Sequence, residues 1–170
     1  MAIARPTDPY PDPSWSGWGD PAQTPVLGEE TRALLAQGLG VHEPSTPAVA
    51  LRDVRLPAGR LGPAAVAELA AAVGGEHALS DDETRVRHTR GKSLADLLRL
   101  RAGEAADAPD LVLLPASHDE VLACLRICSE QRIAVVPFGG GTSVVGGLEP
   151  AAAGFAGVVA LDLRRMNALV

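Results

Sequence analysis

The segment Pro137-Phe-Gly-Gly-Gly-Thr-Ser143 can bind an anion through its own backbone. It follows an apolar stretch, Ile133–Val136. Three consecutive glycines permit positive φ and carry no Cβ that would block close approach. Successive N–H groups can then face one concavity, and the hydroxyls of Thr142 and Ser143 add donors. A pyrophosphate is the natural guest of such a nest. Two better-known phosphate loops do not fit. A Walker A loop needs a lysine after its last glycine, and the only lysine in the chain is Lys92. A dinucleotide fingerprint counted from Gly139 needs a glycine where Val144 stands, and Gly146, Gly147 and Pro150 oppose an immediate long helix.

The other chemically capable residues are less specific. Cys124 and Cys128 lie four apart with no His or Cys near them in sequence, so they read as two buried thiols, not half a metal site. His118 falls in the first turn of a predicted helix and reads as a surface or capping residue. His88 stands among Arg85, Arg87 and Arg90. That cluster could meet an anionic substrate, but the pattern favours a solvated face offsetting Asp81, Asp82 and Glu83. No Ser/His/Asp or Cys/His arrangement emerges.

The elements that would carry these residues can be read from spacing. Residues 1–28, with both tryptophans in Trp15-Ser-Gly-Trp18, form an extended arm that is either disordered or docked on a larger body. Helices are predicted over 29–39 and 63–73, the latter opened by Pro63 and stopped by Gly74. A short extended piece is predicted at 49–56 and a helix at 93–101, with Leu94, Leu97, Leu98 and Arg101 on one stripe. Leu111–Leu114 reads as a buried strand. Ser117 with Glu120 is a capping box for a helix to about Gln131, with Val121, Cys124, Leu125 and Cys128 on its inner face. Strands follow at 133–136 and 158–161, and a fourth is expected to begin at Leu169. Strand, helix and strand with this spacing make a parallel βαβ unit.

Composition narrows the class. The chain has 170 residues, a formal charge of −6 and 46 % apolar residues. That acidity argues against a nucleic-acid binder, which needs a basic stripe to displace counterions. Two cysteines exclude a disulfide-rich scaffold. The longest apolar run, 151–161, is far shorter than the ~20 residues a membrane span needs. The first residues show no apolar signal-peptide core, so the expected compartment is cytoplasmic and membrane association is not indicated.

Pro109-Asp-Leu-Val-Leu-Leu-Pro115, Ser117-His-Asp-Glu-Val121, Val136-Pro-Phe-Gly-Gly-Gly-Thr-Ser-Val144 and Gly147-Leu148 together resemble the FAD-linked oxidases of the vanillyl-alcohol oxidase/PCMH fold. Within that superfamily the chain is similar to the alkyldihydroxyacetonephosphate synthases and their bacterial relatives. The tryptophan-glycine arm and Arg87-His-Thr-Arg-Gly-Lys-Ser-Leu-Ala-Asp-Leu-Leu-Arg-Leu-Arg101 carry that narrower likeness. The resemblance implies FAD as cofactor, with Gly139, Gly140, Gly141, Thr142 and Ser143 along its pyrophosphate and Pro137 and Phe138 positioning the loop. It implies an α+β fold: an arm (1–28), an N-terminal helical region (29–109), and the first, incomplete βαβ part of a PCMH-type FAD-binding domain (110–170). It implies a small-molecule substrate, a 2-hydroxy acid or an acyl-dihydroxyacetone phosphate, and it allows a homodimer. Such enzymes continue with a second flavin segment, a substrate domain and catalytic residues. The expectation is therefore an N-terminal portion that is inactive alone and binds FAD weakly or not at all. The alternative is a non-catalytic remnant or a simple phosphate- or nucleotide-binding module.

Overall fold

A computed structural model describes residues 14–20, 23, 26–42, 47–150 and 152–168. Five helices are described: α1 (Glu29–Leu39), α2 (Pro63–Val73), α3 (Asp82–Arg87), α4 (Leu94–Arg101) and α5 (His118–Glu130). Four strands, β1 (Ala78–Leu79), β2 (Leu111–Leu113), β3 (Ala134–Phe138) and β4 (Val158–Asp162), form one sheet in the order β1-β2-β4-β3. β4 runs parallel to both β2 and β3, while β1 is antiparallel to β2. The predicted fourth strand at Leu169 lies outside the described residues.

Local chemistry sets the boundaries. Pro63 occupies the first turn of α2, where its missing N–H costs nothing, and Gly74 ends the helix with φ +88°. Ser117 accepts from the Glu120 N–H at 3.2 Å, and the Glu120 carboxylate accepts from the Ala116 N–H at 2.8 Å. This reciprocal cap fixes the start of α5. Ser93 caps α4 and Asp81 caps α3, each through the N–H three residues on. The central strands β2 and β4 are buried along their whole length, as expected of parallel strands covered on both faces. Leu69 and Val73 of α2 and Cys124 and Cys128 of α5 pack with Leu111, Leu113, Val159 and Leu161 in one core. A second cluster holds Val136, Phe138, Leu148 and Val158. Since β1 and α2 precede residue 109, the core runs across the boundary between 109 and 110 that the resemblance implies.

Four expectations need correction. The 49–56 stretch holds a 3₁₀ turn at Leu51–Asp53 and no strand. In α4 the buried residues are Asp96 and Leu100, while Leu94 and Leu98 face solvent, because Asp96 turns inward toward Arg90. Leu125 is exposed, and the inner face of α5 narrows to the Cys124/Cys128 line. The fourth concerns the basic cluster, described below.

Candidate functional site

The connection from β3 to β4 is the glycine loop and its continuation, where a βαβ unit would place a helix. Phe138 is the last residue of β3 and pairs in register with Asp162, the last of β4. The loop therefore leaves from the carboxyl ends of parallel strands, where open α/β sheets bind ligands.

Its three glycines serve different ends. Only Gly141 takes the left-handed region, at φ +67°. A Cβ there would lie 2.7 Å from Phe138 Cζ, so both turn and packing require glycine. Gly139 and Gly140 are exposed and need no positive φ. A Cβ on Gly139 would meet nothing within 4 Å, and one on Gly140 only Thr142 Cγ2 at 3.9 Å. Neither fold geometry nor packing explains glycine at these two positions; an approaching ligand would. Among the described residues, no N–H of positions 139–143 is spent on another group of the chain. The Ser143 hydroxyl accepts from the Gly147 N–H at 3.2 Å, which leaves its own O–H to donate. Thr142 is exposed, Pro137 is exposed at the strand edge, and Phe138 is buried beneath the turn.

The loop is held from one side by residues far away in sequence. The Lys92 N–H donates to Ser143 O at 2.6 Å. Gly91 is buried against the same carbonyl, and a Cβ on it would overlap the Ser143 oxygen. Lys92 Nζ donates to the carbonyls of Ser14 and Trp15, so the tryptophan segment docks on the residue that holds the loop. Trp15 also packs against the cluster of Val54, Val86 and Ala105.

The Arg85–Lys92 region is thus not a solvated face. Asp82 and Glu83 do pair with Arg85 and Arg87, at 3.5 and 2.8 Å. Yet Arg85, His88, Arg90 and Lys92 are all buried. Arg85 donates to the carbonyls of Pro109 and Pro57. Arg90 reaches Asp107 and Glu149. His88 Nε2 lies 2.9 Å from Asp162 Oδ2, and Nδ1 2.7 Å from Thr84 O. These partners stand up to 74 residues away, so no local pattern could reveal them. The one available signal was the density of basic residues itself, with Arg85, Arg87, His88, Arg90 and Lys92 all falling between positions 85 and 92.

Charge and burial set the protonation states. Burial, aided by the nearby Arg87, pulls Lys92 down to about 8. Burial works to raise the Asp162 carboxyl, but hydrogen bonds from His88 and Arg164 outweigh it and hold it below the usual carboxylate range. Burial raises both thiols, with Glu120 adding to Cys124, and Cys128 reaches about 11 with Cys124 beside it. Neither cysteine is a ready nucleophile at neutral pH. Among the described residues no group of His, Cys, Asp or Glu could hold a metal ion. His118 is an exposed helix-start residue. A cavity of about 20 Å³, room for roughly one water, opens between Trp15, His88, Lys92, Phe138, Gly141 and Arg164.

Comparison with known proteins bears on this arrangement. The model of the FAD binding domain matches residues 109–170. A solved alkyldihydroxyacetonephosphate synthase superposes with a TM-score of 0.82 at 30 % identity, covering 94 % of this chain and 34 % of that one. The Mycobacterium tuberculosis protein Rv2250A is 39 % identical over 105 residues, 62 % of this chain and 70 % of that protein. The chain belongs to the FAD-linked oxidase family, in its alkyldihydroxyacetonephosphate synthase-like branch. The synthase of Dictyostelium discoideum is 37 % identical over 122 residues, 72 % of this chain but 20 % of that enzyme. The chain thus spans between 15 % and 34 % of the synthases it matches. Other members of the family align over less of it: the glycolate oxidase subunit GlcD of Bacillus subtilis is 39 % identical over 62 residues, 36 % of this chain. FAD is the cofactor of this family, and β2, β3 and β4 with the glycine loop lie within the residues that match the FAD binding domain.

Proposed function

We propose that residues 137–143 hold the pyrophosphate of FAD, and that this chain builds the first part of the flavin domain of an alkyldihydroxyacetonephosphate synthase-like enzyme. The observation that carries the reading is the pair Gly139 and Gly140: exposed, free of positive φ, with open space where a Cβ would stand and unspent N–H groups beside it. A side chain at either position would fill the approach to the cradle without harming the fold. Gly141 makes the turn, Phe138 ends the strand and supports the turn, and Pro137 lies exposed just before it. Thr142 and Ser143 add hydroxyl donors to the backbone. FAD, when bound, supplies the redox chemistry of its ring. The described residues contribute binding and orientation of its phosphates.

The synthase-like reading is supported by where similarity extends. Likeness to the solved synthase covers 94 % of the chain, well upstream of the flavin domain, whereas likeness to the glycolate oxidase subunit covers 36 %. Our reading puts acyl-dihydroxyacetone phosphate ahead of the 2-hydroxy acids as substrate of the whole enzyme, and this extent of similarity supports it. This chain by itself is proposed to be catalytically inactive, since the described residues offer a phosphate cradle and no group poised for substrate chemistry.

The test is a titration of FAD against the chain and against Gly140→Val, followed by flavin fluorescence. Because nothing crowds position 140, the variant should keep the wild-type circular dichroism and melting temperature. Its FAD affinity should fall by at least about tenfold, as expected when several backbone donors are blocked. Measurable and equal affinity in the two proteins would remove residues 139–143 as the pyrophosphate site; if wild type alone binds too weakly to measure, the same pair is compared in a chain extended through the rest of the flavin domain.

A further inference from the structure

Beneath the glycine loop lies a stack of buried groups contributed by other parts of the chain. The tip of the Phe138 ring fills the place a Gly141 side chain would take, with Cζ 2.7 Å from an ideal Cβ. The same ring meets the His88 imidazole, centroids 4.3 Å apart and planes inclined by 48°. His88 and Phe138 are 4 % and 5 % exposed, and Asp162 is fully buried.

His88 is fastened at both ring nitrogens. Nδ1 faces the Thr84 carbonyl of α3, and Nε2 faces the Asp162 carboxylate at the end of β4. Asp162 already accepts from the Arg164 N–H and from Arg164 Nε. A carbonyl and an ionised carboxylate only accept, so both bonds form together only when each ring nitrogen carries a hydrogen. One imidazole therefore joins α3, the end of β4 and the end of β3 directly under the turn. Its orientation is fixed by two bonds in different directions, and it passes that orientation to Phe138 through an aromatic contact. Phe138 in turn sets how far Gly141 can descend.

We propose that His88 is a positioning residue for the flavin loop, holding Phe138 and, through it, the turn at Gly141 at the height where the N–H groups of 139–143 converge. This rests on the reading of 139–143 as the pyrophosphate cradle, and the experiment separates the two. His88→Gln keeps a donor for Asp162 and removes the ring face. Phe138→Leu removes the same contact from the other side. Amide ¹⁵N–¹H spectra of the whole chain are recorded for wild type, both single variants and the double variant, with FAD affinity measured alongside.

Each single variant should displace the resonances of residues 139–143 while those of α5 stay in place. The double variant should displace them no further than Phe138→Leu alone, because one contact is lost either way. FAD affinity should fall about tenfold in His88→Gln. Loop resonances that hold their wild-type positions in His88→Gln overturn the proposal, whatever happens to the melting temperature. So do displacements that add in full in the double variant. Gly140→Val serves as the control. If it loses FAD while His88→Gln keeps both loop and affinity, only the positioning role falls. If Gly140→Val binds FAD as wild type does, the cradle itself falls.

Discussion

Gly91→Ala places a methyl group where the structure has none to spare. An ideal Cβ at this position stands far inside contact distance of the Ser143 carbonyl oxygen, 3.0 Å from its carbonyl carbon and 3.2 Å from its Cβ. Two of those atoms are main chain, so no rotamer change relieves the overlap. The adjacent Lys92 N–H donates to the same oxygen at 2.6 Å. The segment 90–92 and the loop must therefore separate, and that hydrogen bond lengthens or breaks. Overpacking costs about 1–3 kcal/mol. A lost hydrogen bond adds about 0.5–1.5 kcal/mol. The sum, about 2–4 kcal/mol, is a large share of a typical domain's stability. For a chain of this length it corresponds to a fall in melting temperature of about 4–15 °C. Thermal and urea melts followed by circular dichroism measure it. Tryptophan fluorescence gives a second readout, since Lys92 also holds the carbonyls of Ser14 and Trp15. Emission should shift to the red as the arm loosens. A variant that melts within about 1 °C of wild type with unchanged emission would show that the 90–92 segment does not abut the loop.

Other consequences follow from buried charge. Lys92 titrates near 8 in the folded chain and at its ordinary value when unfolded, so the unfolded state holds more protons between those two values. Stability should therefore rise with pH from about 8 toward 10.4, by at most ~3 kcal/mol, and Lys92→Met should flatten that slope in urea melts across the window. Asp110 is buried, accepting from the Arg60 N–H at 2.8 Å and the Val158 N–H at 2.7 Å. Asp110→Ala leaves both donors without their acceptor and should cost about 2–4 kcal/mol, read by the shift of the urea midpoint. An unchanged midpoint would mean that these donors find other partners.

The sequence made some parts of this fold legible for stated physical reasons. α2 and α5 could be placed because Pro63, Gly74, Ser117 and Glu120 act on their own neighbours within four residues. β2 and β4 could be placed because strands buried on both faces are continuously apolar. β1 could not, since two residues carry no period and its existence depends on pairing with β2. The inward face of α4 departs from the leucine spacing because its buried polar residue, Asp96, turns toward Arg90, which lies just upstream of the helix and is itself buried. The glycine loop was legible as a phosphate nest, but the division of labour among its glycines was not: φ and Cβ contacts single out Gly141 for the turn and leave Gly139 and Gly140 open. His88 and Lys92 stayed hidden among apparent surface charges, because Asp162, Ser143 and the Trp15 segment reach them only through the tertiary fold.

The central claim is that the N–H groups of residues 139–143 receive the FAD pyrophosphate. Titration of ¹⁵N-labelled chain with FAD, and separately with inorganic pyrophosphate, tests it most directly. The largest amide displacements should fall on Gly139–Ser143 with both ligands, with smaller ones at Gly91 and Lys92, and α1 and α5 should be unaffected. Displacements centred elsewhere in the chain while residues 139–143 stay still would contradict the assignment.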